Sequence, residues 1–534
     1  MSSSINYNDS ILHLHSAESQ RDRALILAKK KGDGLLFEFL NKVFPSVLSL
    51  IQEQPALQEK LAHALQSHSL ELTQSMNNEI KEPLLKQIAK IGEAIERYNV
   101  VFFPAPELRF SNEIHENIVR YYDESQELPN AVHRFDSQAE HTIPLKDYLY
   151  ARISDTIQHL VKNKARVELF VGPSAHVDHY YAKNGFFKKA LLNTRSSIKY
   201  VLFENEKGEQ KVVVLGISNE SKLTHTLLQL KAVGVPMEKI SVRGKIEDFL
   251  NHLETKLAEE FARIVGNKSI SLAVIGNRSG MVFEIAERLY PEEMKGPFIT
   301  ENEREEKAIE LLKAKHNYHE INIDKIFKFS TVEVEINGEA KVLVAFRMPN
   351  GDLSRIATRV IFQNNQVDGF VMVGAGGSLC HECNVGDYQL TVESSLEDAP
   401  PVEIDPSSIM PLQFRENNDV CKLSRKNLTV LSPLVETLEW LNKNKSSSHS
   451  VDVETYFIMQ AFAEAVKIQQ QATKIFPGLF ISDQVGGEHP LTEKIDPSNA
   501  WVYLPGLLAQ SMSYFNVPDN RTLEIEEEIQ SSAS

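Results

Sequence analysis

The sequence predicts an α/β protein in which a mixed sheet is flanked by helices, preceded by a partial α/β repeat and by a helical N-terminal region. Three observations predict it. Apolar residues recur at helix spacing from about residue 20 to 100; from about residue 166 short apolar strands alternate with amphipathic helices; and part of that alternation recurs 130 residues later. At 534 residues the chain is long enough for two to four domains. The pattern divides it into a helical region over 1–160, an α/β domain over 161–267, a second α/β domain over 268–515 and an acidic tail over 516–534.

In the first region Leu35, Leu36, Phe39, Leu40, Val43 and Phe44 form one helical stripe, and Leu84, Leu85, Ile88, Ile91 and Ile95 another. Pro45, Pro55 and Pro83 punctuate them. His13, His15, His63 and His68 show no ligand spacing, and this region is expected to dock or regulate, with a protein partner as its expected contact. Val167–Val171 ends at Gly172, and Ser197–Phe203 and Lys211–Leu215 flank a Lys207-Gly208 turn. A helical stretch over Leu223–Leu230 precedes Ile240–Val242. The amphipathic run Ile246–Val265 leads to Ile270–Ile275 and Gly276. Lys207-Gly-Glu-Gln-Lys-Val-Val-Val214 matches Asn337-Gly-Glu-Ala-Lys-Val-Leu-Val344 at the 130-residue offset, which also aligns Gly244 with Gly374. This is either hairpin composition arising twice or a duplication whose first copy has decayed.

Lys and Arg total 57 against 73 Asp and Glu, a formal charge of −16. That excess of acid argues against a nucleic-acid or anionic-membrane surface, whose affinity comes from basic patches. Three cysteines make no disulfide framework and point to a reducing compartment. No apolar run is long enough for a membrane span, and the start lacks the regions of a secretory signal, so a cytoplasmic protein is expected.

Phe370-Val-Met-Val373 runs into Gly374-Ala-Gly-Gly-Ser-Leu379, which reads as a buried strand opening into a glycine-rich loop. Such glycines let backbone N–H groups approach a phosphate or ribose, or they simply make a tight turn. The segment fits neither a Walker loop nor a dinucleotide fingerprint. Asn384-Val-Gly-Asp387 follows. Val451-Asp-Val-Glu454 opens a helix over 455–470, with Asp452 as its cap and Glu454 either complementing the dipole or facing a ligand. Phe480-Ile-Ser-Asp483 is an apolar strand ending in a carboxyl, the place where open α/β sheets put ligands.

In this order, Met348-Pro-Asn-Gly351, GAGGSL with VGD, VDVE and ISD resemble the purine nucleoside phosphorylase and nucleosidase superfamily over residues 268–515. The resemblance implies a nucleoside-phosphorylase-like domain that cleaves an N-glycosidic bond of a purine nucleoside or nucleotide-like substrate, without a cofactor or metal. It implies that Asp483 is the general acid toward the base and that Glu454 binds the ribose hydroxyls. Gly374, Gly376, Gly377, Ser378 and Val453 would line the site, and a homo-oligomer is one expected state. A buried carboxyl with a raised pKa suits protonation of a leaving base.

The match has departures. Met372 stands where the phosphate-binding arginine of the phosphorylases would be, so water is the expected nucleophile, with Arg278 and Arg347 as substitute anion ligands. Val453 replaces a methionine, and Ser432-Pro433-Leu434 leaves the base-stacking aromatic unassigned. Glu284 lies too far beyond Gly276 to be the water-activating glutamate. A binding protein without turnover, or a true phosphorylase, stay as alternatives. Cys380-His-Glu-Cys383 lacks a second ligand pair at zinc spacing. Glu524, Glu526, Glu527 and Glu528 before Gln530–Ser534 read as a solvated tail, or resemble the export signal of a type IV secretion effector that acts in a host cell.

Overall fold

The computed structural model describes residues 135–521 except 151, 175–176, 194–197, 297–300, 398, 413–420, 470–471 and 492–503, together with 100–102, 125–126 and 128. The expected helices before residue 100 and the glutamate-rich end lie outside the described residues. No helix among the described residues is long and apolar enough to cross a membrane. The chain divides into two compact units, one from residues 1–132, 146–217 and 229–246, the other from 133–145, 218–228 and 247–534.

The first unit holds a seven-stranded sheet. Its strands are β1 (Val100–Phe102), β2 (Ser125–Gln126), β3 (Arg166–Val171), β4 (Phe186–Asn193), β5 (Lys199–Asn205), β6 (Gln210–Ile217) and β7 (Ile240–Arg243), in the order β1-β4-β5-β6-β3-β7-β2. The short helix α1 (Val177–Lys183) lays Val177, Tyr180 and Tyr181 against Phe170 and Phe203 of the sheet. Glu168 points into this core, and its carboxylate is satisfied there. It accepts from Tyr181 Oη at 2.5 Å and Arg243 Nε at 3.1 Å. A buried charge persists only when paired in this way. Helix α2 (Glu220–Ala232) begins in the segment 218–228 that belongs to the second unit.

The second unit is built on β8 (Ile270–Gly276), whose residues through Ile275 are buried. It lies parallel between β11 (Glu339–Arg347) and β12 (Val367–Ser378). A strand covered on both faces reads as a continuous apolar run, which Ile270–Ile275 is. Beyond β11 come β10 (Phe327–Ile336) and β9 (Tyr318–Ile323), both antiparallel. On the other flank stand β13 (Tyr388–Leu396), β14 (Val402–Glu403), β15 (Cys421–Thr429), β16 (Ser450–Asp452) and β17 (Lys474–Gln484), the last pairing with both β12 and β13. Helix α3 (Ile246–Val265) buries Phe249, Leu253, Leu257, Phe261 and Val265, an i, i+4 stripe that brings Phe261 onto Phe329 and Phe346. Helix α4 (Arg278–Leu289) packs Met281, Val282 and Ile285 in one core with Leu507, Leu508 and Met512 of α8 (Leu504–Tyr514). Between them in sequence, α5 (Glu301–Lys315), α6 (Leu353–Gln363) and α7 (Thr455–Gln469) complete the helical cover, with Phe362, Phe370 and Phe462 in mutual ring contact.

Five strands recur in the same order and sense. β4-β5-β6-β3-β7 runs antiparallel, antiparallel, parallel, parallel, and so does β9-β10-β11-β8-β12. The hairpin glycines Gly208 and Gly338, equated by the 130-residue offset, share positive φ values of 77° and 81°. The two strand orders part company at the last strand. β7 stops at Arg243, whereas β12 continues through Gly374 to Ser378. The expected glycine-rich loop is therefore strand, because β17 supplies a parallel partner along its whole length.

Two glycines separate steric closeness from backbone strain. Gly276 has φ 120°, and a Cβ there would sit 1.9 Å from the Val373 carbonyl oxygen, whereas a Cβ at Gly338 would meet nothing within 4 Å. Gly276→Ala is expected to destabilise the protein by roughly 2–5 kcal/mol, through clash and strain together. Gly338→Ala should cost only about 1–2 kcal/mol of left-handed strain. Urea unfolding of both variants measures this, and equal losses would contradict the close β8–β12 approach.

Candidate functional site

The end of β12 organises the site. β8 pairs with β12 only through Met372; beyond β8's end β16 takes that side, with Gly377 opposite Val451 and Ser378 opposite Ser450. On the other side β17 stays parallel to the end and sets Gly377 opposite Asp483, after a bulge between Gly376 and Gly377. The glycines make this possible. A Cβ on Gly376 would lie 2.5 Å from the Val451 carbonyl oxygen, and one on Gly377 would lie 2.9 Å from Asp483 Oδ2. The C-terminal ends of parallel strands are where α/β sheets hold ligands. Here that end carries a carboxyl-bearing segment on each side.

On the β16 side Asp452 is the cap of α7. Its Oδ2 accepts from Thr455 N at 2.9 Å and from Thr455 Oγ1, while its Oδ1 accepts from Asn427 Nδ2 at 2.8 Å and Thr429 Oγ1 at 2.9 Å. Its four donors leave it no free role toward a ligand. Glu454, two residues on, is 9% exposed and is not used as a cap. Its Oε1 accepts from Gly351 N at 3.2 Å and lies 3.5 Å from the donor Asn350 Nδ2, both in the loop between β11 and α6. Burial, then the nearby charge of Asp452, push the Glu454 carboxyl up to about 8.

On the β17 side Asp483 is 7% exposed. Ser482 Oγ donates to its Oδ1 at 2.6 Å, and burial raises its pKa despite that bond. A second carboxyl faces it. Glu436 follows the turn Pro433–Val435, and its backbone carbonyl accepts from Thr142 N at 3.1 Å and Thr142 Oγ1 at 2.8 Å. The Glu436 carboxyl is held well above the ordinary range by burial and by the negative charge of Asp483. Like charges in a dry site favour retention of a proton between them.

The remaining expected residues divide. Gly376 and Gly377 lie on the strand between the two acidic segments, and Gly374 sits upstream among Leu479 and Met372. Val453 packs against the cluster of Leu379, Leu428, Val430, Val451 and Val485. Arg347 ends β11 opposite Gly276 and is exposed. Two expectations are corrected. Arg278 is buried and committed elsewhere: its guanidinium pairs with Glu305, donates to Glu320 at 2.9 Å and to Ser330 Oγ at 3.0 Å, and is no ligand for an anion. The Ser378 hydroxyl is spent on its own turn, donating to the Cys380 carbonyl at 2.7 Å. Glu284 belongs to a buried ion cluster with Arg288 and Arg521. Cys380 and Cys383 share a hydrogen bond that pulls the Cys380 thiol down to about 5, and the described residues hold no group of three or more His, Cys, Asp or Glu able to bind a metal.

Sequence reasoning missed Asn350, Gly351 and Glu436, and also Asn219, which donates from Nδ2 to the Asn350 carbonyl at 2.8 Å and to Asp352 Oδ1 at 2.7 Å. The Met348-Pro-Asn-Gly351 segment was a usable signal for the first two. Nothing local marks the others.

No protein-family model matches the sequence, and no curated protein does. Solved structures similar to it include a Campylobacter jejuni 5′-methylthioadenosine/S-adenosyl homocysteine nucleosidase, 14% identical with a TM-score of 0.28, the match covering 45% of this chain and 98% of that one. A futalosine hydrolase mutant of Helicobacter pylori is 12% identical with a TM-score of 0.28, covering 46% and 98%. A uridine phosphorylase of the oomycete Phytophthora capsici is 10% identical with a TM-score of 0.30, covering 46% and 90%.

The raised Glu454 pKa has a stability consequence. The folded protein keeps a proton that the unfolded chain releases above its ordinary value of 4.5, so this contribution is complete below about 4.5 and is lost as pH rises through about 8. Glu454→Gln is neutral throughout. Its urea midpoint relative to wild type is expected to rise between pH 5 and pH 9, by roughly 1–3 kcal/mol in stability. Parallel pH curves for the two proteins would contradict the buried, protonated carboxyl.

Proposed function

We propose that this protein is a hydrolase that cleaves the N-glycosidic bond of a purine nucleoside or nucleotide-like substrate. The observation that carries the reading is the placement of two buried carboxyls with raised pKa, Asp483 and Glu454, in segments that flank the same glycines of β12. Cleaving such a bond builds positive charge on the sugar and negative charge on the base. In this reading Asp483 delivers a proton to the departing base, which its raised pKa suits. Glu454 contacts the sugar hydroxyls, giving up its contact to Gly351 and Asn350, and its ionised form, populated as pH rises through about 8, stabilises the developing cation. The motif order GAGGSL, VGD, VDVE, ISD supports the same assignment. Met372 is fully buried in the strand where a phosphate-binding arginine would stand, which favours water as the nucleophile.

Release of free base from a panel of purine nucleosides and nucleotides, with and without phosphate, tests the reading. Turnover is expected to be independent of phosphate and to fall by roughly 10²–10⁴ in Asp483→Asn, with ligand binding little changed. Glu454→Gln is expected to lower kcat/KM with the fold intact. Equal rates for wild type and Asp483→Asn would remove Asp483 as the acid. Binding without release in any of the proteins would establish a binding protein instead.

A further inference from the structure

The loop that touches Glu454 is held from a second direction. Helix α2 comes from outside the segment that carries the motifs, and its first turn is docked on residues 350–352 by the two Asn219 hydrogen bonds. The approach is close: a Cβ on Gly351 would lie 2.2 Å from Ser221 Oγ, so glycine is required there for this contact as well as for its φ of 59°. Lys222 follows Ser221 on this docked turn, and Arg347, the last residue of β11, stands three residues before Asn350 and within reach of its charge.

Lys222 is half-buried, and its pKa is lowered first by burial and then by the positive charge of Arg347. No ion pair or hydrogen bond to the Lys222 ammonium or the Arg347 guanidinium is present among the described residues. The nearest acid on this loop, Asp352, is already engaged by Asn219 Nδ2 and by the backbone N–H groups of Glu220 and Ser221. In a chain with a formal charge of −16, two cations brought together with no counter-carboxylate are an unusual expense. Two like charges sharing a partly dry site repel, and a bound dianion would reverse the sign of that interaction.

We infer that Lys222 and Arg347 form a binding site for a phosphate-class group of the ligand, beside the loop that contacts Glu454. The inference rests on the reading of Glu454 as the sugar-binding carboxylate, and it narrows the substrate class from nucleosides to nucleotides. The anion is attached to the sugar: Arg347 and Asn350 belong to one short segment, so a ligand whose sugar reaches Glu454 has its substituent within reach of both cations. A free phosphate ion has the same chemistry, and the test separates the two sources.

Calorimetry on the full chain compares a purine nucleoside alone, the same nucleoside with inorganic phosphate, and its 5′-monophosphate, for wild type, Lys222→Met and Arg347→Met. The monophosphate is expected to bind about ten- to a hundredfold more tightly than the nucleoside. That ratio should collapse toward one in each variant and shrink at high salt. Arg347 is exposed, so its variant tests the site even if Lys222→Met fails to fold. A variant-sensitive gain with inorganic phosphate but none with the monophosphate would overturn the attached group in favour of a separate phosphate. Nucleoside binding with no gain from either phosphate would overturn the anion site while leaving the proposed function standing. Binding of none of the ligands would remove the proposed function and this inference with it.

Discussion

Because Gly376 and Gly377 carry no side chains, the last turn of the β12 ladder is flanked on both sides within van der Waals distance, by β16 and by β17. Every other feature of the site follows from that closeness. It lets the Asp483 carboxyl sit against the Gly377 backbone and lets the Val451 carbonyl approach Gly376. It also fixes where α7 starts, since β16 passes into that helix within three residues, and so it fixes where Glu454 emerges. A methyl group on either glycine would push one acidic segment away from the other.

The same closeness excludes water, and the exclusion sets the chemistry. Glu454, Glu436 and Asp483 all lose hydration, and each has its pKa raised for that reason first. What distinguishes them is company. Asp452 beside Glu454 has its charge stabilised by four donors, and Asp483 has the Ser482 hydroxyl, whereas Glu436 has the charge of Asp483 to contend with. Carboxyls in one small region thus differ in their surroundings: Asp452 caps a helix, Glu454 is buried against the 350–351 loop, and Asp483 lies within the field of Glu436.

Much of this was legible in the sequence. The β8 run, the amphipathic helix over 246–265 and the order of the GAGGSL, VDVE and ISD segments are local signals, written in apolar periodicity and in residues whose spacing survives any loop length. The failures were of one kind. Gly374–Ser378 read as a loop because glycine carries no sign of its partner, and the partner, β17, lies about a hundred residues downstream. Arg278 read as an open anion ligand because Glu305 and Glu320, which occupy it, are distant in sequence. Glu436 stood beside an unassigned Ser432-Pro433-Leu434 segment, and only the fold turns it toward Asp483. Asn219 and Lys222 precede the motif-bearing segment altogether, so no motif pointed to them. The shared strand order was legible through the hairpin glycines Gly208 and Gly338, whose positive φ favours that residue.

The central claim is that Asp483 and Glu454 address the two halves of one ligand. A crystal structure of the protein soaked with a non-cleavable purine nucleoside analogue tests it most directly. The expected result is a purine ring nitrogen within about 3 Å of an Asp483 carboxyl oxygen and sugar hydroxyls at the same distance from Glu454. An analogue bound away from β12, or one that touches a single carboxyl with its base and sugar reversed, would contradict it.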